Sequence, residues 1–328
     1  NHRIFNLSIS SKISKGLIRN NLDVINFDYR DFSKKNLFFN SLDEKIISII
    51  ENYKPQLIIC GHNNILNRKT ILQIKNKFKS KIIIWYEDAL APGGPDYKDS
   101  VKLLEKNYDL IDKYFITTHP SQIKTRIPLK KLNFMPVPVD TNIESENFYN
   151  HKKTKDLFFA LSHGVNFGKL KKGVIDDRSK FIEKLIRDSE GKISFNILGL
   201  YKEEPKWNFA LNEEIMKSKI ALNLSRGEPA KYYSSNRIAT LMGNGCLTAI
   251  DEKVKYSHFF NRKEILIYKN SKDLIKKIVR IKDNPKLIKK ISKNGKKKYF
   301  KLFSNVIVSQ FLIDKTFNFK NKYNYIWS

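Results

Sequence analysis

Short apolar runs alternate with longer amphipathic stretches along almost the whole chain, and this rhythm leaves few architectures open. In the first half the runs are Arg3–Ser8, Asp23–Phe27, Gln56–Cys60, Lys81–Trp85 and Lys113–Thr117. Between them, Ser11–Asn20, Leu42–Tyr53, Lys69–Lys79 and Lys98–Lys106 place apolar residues at helical spacing. Strands that are apolar on both faces and separated by helices belong to parallel sheets with helices on both sides. The chain therefore reads as α/β.

The rhythm breaks once. Asn133–Asp140 reads NFMPVPVD, and its two prolines exclude a central strand and favour an extended connector. The polar stretch Thr141–Lys155 follows, and the alternation then restarts. Asp156–Leu161, Ser194–Leu198, Ile220–Leu224, Cys246–Ile250 and Ile265–Tyr268 read as strands. Arg178–Asp188, Ser235–Met242, Lys272–Ile281, Pro285–Asn294 and Lys296–Phe317 read as helices. We thus expect two Rossmann-like, doubly wound domains facing a cleft, over residues 1–145 and 146–300. A helix and tail at 301–328 would cross back to the first domain. In such sheets ligands bind beyond the carboxyl ends of the strands.

One segment places several useful groups at such an end. The buried strand Ile220–Leu224 leads into the loop Ser225–Pro229, then Lys231, Tyr232 and Tyr233, and then a helix for which Ser234 or Ser235 is a suitable N-cap. Gly243 and Gly245 close that helix before the next strand. A helix start offers unpaired N–H groups. Arg226 and Lys231 add full positive charge, so the segment has the chemistry of a diphosphate site.

Asn223, Arg226, Lys231, Arg237, Gly243 and Gly245 together resemble the donor-binding region of GT-B glycosyltransferases, particularly the CgeB-like group. IIENYKPQLIICGHNN, NFMPVPVD and DLFFALSHGVNFGK resemble, in turn, a unit of the acceptor domain, the interdomain connector and the first strand and turn of the donor domain. The resemblance implies a GT-B fold and transfer of a sugar from a nucleotide-diphosphate sugar to a hydroxyl acceptor, such as a cell-surface glycan or lipid-linked precursor. It implies a donor site formed by Gly164, Tyr201, Arg226, Glu228, Lys231, Tyr233, Ser234, Ser235, Asn236 and Arg237. The sequence departs from the pattern at one point. Many retaining GT-B enzymes carry a second Glu after a Glu and seven further residues, and here Asn236 stands at that distance from Glu228. In the register of the Arg-led helix, Thr240 stands where the CgeB-like group has Glu.

Other strand ends supply further candidates. Asp88 follows the run ending at Trp85 and precedes the loop Ala91–Pro95, a good place for a general base. His62 lies after the neighbouring strand and is the rival base. His119 ends another strand and reads as structural. Tyr201, or Trp207, follows the strand Ser194–Leu198 and could stack on a nucleotide base. No Asp-x-Asp pair follows a strand at the donor segment, so we expect neither a metal nor another cofactor there.

Charge bears on partners. The chain of 328 residues carries a formal net charge of +29. Lys greatly outnumbers Arg and is accompanied by abundant Asn and Ile, the bias of AT-rich coding, although a cluster stands out near Lys286–Lys301. An anionic membrane surface is the better functional partner, since no nucleic-acid motif concentrates the charge. A basic nucleic-acid-binding protein and a sugar-nucleotide epimerase of the same fold are the alternatives. No apolar run is long enough to span a membrane and no signal peptide is read. The two cysteines, Cys60 and Cys246, read as buried thiols of a reducing compartment. We expect a cytoplasmic enzyme, with a peripheral site on the inner face of the membrane open to it.

Overall fold

The computed structural model describes residues 8–28, 42–61, 66–92, 94, 96–161, 165–166, 169–170 and 175–328. The proposed strand at Arg3–Ser8 lies almost wholly outside them.

The first sheet is parallel and runs β1 (Leu57–Cys60), β2 (Lys81–Tyr86), β3 (Lys113–Ile116), β4 (Leu132–Phe134) in spatial order. Helices α1 (Ile9–Arg19), α2 (Leu42–Tyr53), α3 (Arg68–Gln73) and α4 (Tyr97–Glu105) accompany it. β2 is buried on both faces from Ile82 to Tyr86, as expected of a strand covered on both sides. α3 continues into a π-helical turn over Ile74–Phe78, so the expected single helix is two segments. Asp23–Phe27 joins no sheet among the described residues. Its side chains are mostly exposed, so the apolar pattern there does not mark a buried strand. β4 takes the first residues of the proline-bearing connector as an edge strand, and Pro136 and Pro138 fall just beyond it, where no ladder bond is lost.

The second sheet is also parallel, in the order β11 (Leu266–Tyr268), β10 (Leu247–Asp251), β9 (Ser218–Asn223), β5 (Lys155–Ala160), β8 (Phe195–Leu198). A small antiparallel pair, β6 (Val165–Asn166) and β7 (Lys169–Leu170), follows β5. The accompanying helices are α5 (Asp177–Asp188), α6 (Asn208–Met216), α7 (Arg237–Gly243), α8 (Ser271–Ile281) and α9 (Pro285–Phe303). α6 was not anticipated, because its apolar residues form no clear stripe.

The chain returns through α10 (Asn305–Phe317), which packs on α1 and reaches β3, with Phe311 edge-on to Phe115 at 5.7 Å. The break between α9 and α10 falls at Ser304 rather than at Gly295. Gly295 is a mid-helix packing glycine: a Cβ there would lie 2.3 Å from the Glu264 carbonyl oxygen. Its neighbour dictates the residue, not the end of a helix.

The outgoing and returning strands of chain are stitched together. Val139 N donates to Phe303 O at 2.9 Å and Asn305 N donates to Val139 O at 2.7 Å. A buried polar network surrounds this stitch. Lys12 pairs with Glu144 at 2.5 Å, both side chains fully buried, and Asp140 accepts from Arg19 at 3.0 Å and from Asn305 at 2.8 Å. Gly16 lets α1 and α10 approach closely, since a Cβ there would lie 2.2 Å from Asn305 O. The C-terminal helices therefore do cross back to the first half.

Candidate functional site

The carboxyl ends of β5 and β9 converge on one half-buried cation. Arg237, at the start of α7, donates to Leu224 O at 3.0 Å and to Ala160 O at 3.2 Å, and its guanidinium lies 5.4 Å from the centre of the Phe159 ring. Burial, with the nearby Arg178 adding to it, lowers its pKa to about 10. Arg178, in the first turn of α5, is held by two bonds to Asp176, each 2.8 Å. Both charges act on Tyr233, whose hydroxyl is held protonated chiefly by burial and further by Asp88 and Glu87 from the first half. Asp88 itself is exposed just beyond β2. Tyr233 thus sits between cations of one half and carboxylates of the other, in an apolar contact with Ala91 and Ala230.

The loop between β9 and α7 bridges the halves directly. Arg226 is ion-paired with Asp96, at the start of α4. His119 N donates to Lys231 O at 3.0 Å. Tyr232, at φ +63, packs edge-on against His119 and at a tilt against Phe134 of the first half and Phe259 of the second, and its hydroxyl meets His258 Nδ1 at 2.6 Å. Lys231 lies 5.0 Å over the Tyr232 ring and makes no ion pair among the described residues. Its charge, after burial, lowers the His119 pKa. Glu228 is exposed and repels Asp251 at the end of β10, adding to the burial that raises the Asp251 pKa.

Residues 178–314 match the family model described as glycosyl transferase-like. The fold recurs in solved structures. A glycosyltransferase from Rickettsia africae superposes with TM-score 0.57 at 12% identity, over 96% of this chain and 95% of that one. HepE from Anabaena, solved with UDP and glucose, gives 0.51 at 11% identity, over 86% and 84%. Sucrose-phosphate synthase from Thermosynechococcus elongatus gives 0.52 at 11% identity, over 94% and 92%. The chain has the GT-B fold. Among curated proteins none matches it.

The expected donor residues from Arg226 to Arg237 lie on the loop between β9 and α7 and at the first residue of α7, and several make contacts other than those expected. Neither serine caps α7. Asn236 is the N-cap residue, in helical conformation, with no side-chain cap bond. Ser234 is buried and accepts from Asn223 Nδ2 at 2.8 Å, while the Ser235 hydroxyl is buried without a partner among the described residues. α7 has only seven residues, so its dipole is short. Arg237 positions two strand ends instead of standing free. Tyr201 is exposed, at φ +52, in the loop after β8. Gly199, two residues earlier, is dictated by close approach, since a Cβ there would lie 2.1 Å from Leu161 O. His62 and Gly164 lie outside the described residues. Among the described residues no group of three or more His, Cys, Asp or Glu could hold a metal ion.

The sequence reading missed Arg178, Asp96 and Tyr232. Arg178 and Asp96 are distant in sequence from the donor segment, and only the folding of the two sheets brings them to it. Tyr232 was available as the neighbour of Lys231, but nothing local marks it as the residue on which both halves pack. His119, read as structural, is hydrogen-bonded to the loop between β9 and α7.

Proposed function

We propose that this enzyme transfers a sugar from a nucleoside-diphosphate sugar to a hydroxyl acceptor, with protein cations balancing the charge of the departing diphosphate. The observation that carries this is the bridging loop. It pairs Arg226 with Asp96 and joins the Lys231 carbonyl to His119 N, so both cationic residues stand where the two halves meet. Charge that is already in position where a leaving group develops its own lowers the barrier without reorganisation. Arg226 is the bidentate candidate and Lys231 the point charge. Binding the donor exchanges Asp96 for phosphate oxygens at Arg226. In this reading Tyr233 and Arg237 shape the floor, and Tyr201, exposed after β8, stacks on the base.

HepE, of the same fold, was solved with UDP, which favours uridine as the first base to test. Asp88, or His62, accepts the acceptor's proton in an inverting course, and analysis of the product anomer decides between inversion and retention. We assign the acceptor to cell-surface glycan or lipid-linked precursors, made on the cytoplasmic side, on the strength of the basic charge. Within the fold, we place the chain nearest the CgeB-like group by the run Arg226–Gly245.

The test is thermal stabilisation by UDP, GDP, CMP and ADP, with a polynucleotide as control. A ligand at a hundredfold excess over its Kd stabilises the folded state by about 2.7 kcal/mol. We expect one nucleoside diphosphate to stabilise the enzyme, the effect to vanish in Arg226→Ala and in Lys231→Ala, and turnover to persist in chelator. Stabilisation by polynucleotide alone would overturn the reading.

A further inference from the structure

The exposed surface of α9 carries charge of one sign only. From Pro285 to Phe303 it contains no Asp or Glu. Lys286, Lys290, Lys293, Lys297 and Lys301 are all exposed, at successive spacings of four, three, four and four, so they lie along one face. The stripe extends over about 22 Å of helix. None of the five makes an ion pair among the described residues. The opposite face is the packed one, with Ile288, Ser292, Gly295, Tyr299 and Phe303 buried.

A coding bias toward lysine does not account for this. The same bias acts on α5, where the exposed residues Asp177, Lys180, Glu183, Lys184 and Arg187 mix both signs and Lys184 pairs with Asp188 at 2.9 Å. In α9, lysines one turn apart repel each other, which destabilises a helix when nothing compensates. Such a surface is complete only against an anionic partner.

We propose that the lysine face of α9 docks this enzyme on an anionic phospholipid surface. Three observations select that partner. The face is straight and one-sided, matching a plane and not a groove. Its cations are all lysines, whose long stems adapt to headgroups, and its exposed stripe carries no Arg or aromatic side chain of the kind that grips or stacks on nucleic acid. Leu287, 37% exposed beside Lys286 and Lys290, offers an apolar contact at the rim. No helix among the described residues is long and apolar enough to cross a membrane. The proposal does not rest on the sugar-transfer reading.

The experiment is sedimentation of the whole protein with phosphatidylcholine vesicles, with and without phosphatidylglycerol. We expect binding only to the anionic vesicles, reversed by salt. Changing all five stripe lysines to Gln should weaken it at least about tenfold. A control changes Lys69, Lys98, Lys102, Lys124 and Lys130 to Gln, removing the same charge from exposed positions elsewhere, and should retain most of the binding. Equal loss in both variants, equal binding to neutral vesicles, or a stripe variant that loses polynucleotide binding while keeping vesicle binding would each overturn the proposal. Nucleotide-induced stabilisation of the stripe variant reports separately on the donor site.

Discussion

Among the described residues, the two halves of this chain meet at both ends of α7. Near its carboxyl end Gly243 packs against Glu144, and there Lys12, Glu144, Asp140 and Asn305 form a network closed to water. At its amino end, Arg226, Lys231 and Tyr232 meet Asp96, His119 and Phe134 across the cleft, with charges partly open to solvent. Both places use opposite charges, but the physics differs. A buried pair has lost its hydration and depends on its partner, whereas an open pair can exchange that partner for water or a ligand. The first place fixes where the halves meet. The second holds its cations in position while leaving them exchangeable.

The largest effect should come from breaking the closed network. Glu144→Ala leaves Lys12 buried without a counter-charge and removes the acceptor of Asp140 N at 2.8 Å. Loss of one partner of a buried pair costs about 3–5 kcal/mol. Urea unfolding should show this loss, and the double variant Lys12→Met with Glu144→Leu should recover much of it. A loss below about 1 kcal/mol in the single variant would show that the network is hydrated after all. Next in size is Gly16→Ala. The added methyl meets the Asn305 carbonyl, and overpacking of this kind costs about 1–3 kcal/mol, visible as a lowered urea midpoint with an unchanged slope.

The cleft pair should behave in the opposite way. Arg226→Ala should change unfolding stability by less than about 1 kcal/mol, because its partner Asp96 remains hydrated. Nucleoside-diphosphate binding should nevertheless be lost. Asp96→Asn sharpens the comparison, since it frees Arg226 and should tighten nucleotide binding in a titration. Weaker binding in Asp96→Asn would show that the pair orients Arg226 for the ligand and does not compete with it.

The contrast also explains what was legible in the sequence. β2 and α2 were readable to within a residue or so because burial on both faces, or on one face, writes a period into neighbouring residues. The Arg226–Lys231 loop was readable because its cations follow an apolar strand. The closed network was not. Lys12 looks like any other lysine on an amphipathic helix, and its partner Glu144 lies 132 residues away. Arg178 and Asp96 were missed for the same reason. Gly295 was misread because a glycine required by a neighbouring carbonyl and a glycine ending a helix are identical in sequence. Pairing between distant residues leaves no local period, and this site is made largely of such pairs.

The smallest effect tests whether the cleft keeps His119 neutral. The Ser121 amide donates to His119 Nδ1 at 3.2 Å, which requires the lone pair of an unprotonated nitrogen. Burial, and then the Lys231 charge, lower the folded pKa below the ordinary 6.5. As pH falls, the unfolded chain therefore takes up this proton first. Through the window from 6.5 down to the lowered folded value, the unfolded state binds more protons, and stability falls with decreasing pH. Above that window both states are neutral and the contribution is constant. Urea unfolding between about pH 5 and pH 8 should show His119→Gln and the parent parallel in the upper part of this range. Below about pH 6.5 the parent should lose stability relative to the variant. Lys231→Ala should narrow that difference, because it removes one of the two causes. If the parent and His119→Gln stay parallel down to pH 5, the imidazole is hydrated like an ordinary surface histidine, and the cleft around Lys231 is more open than its hydrogen bond to His119 implies.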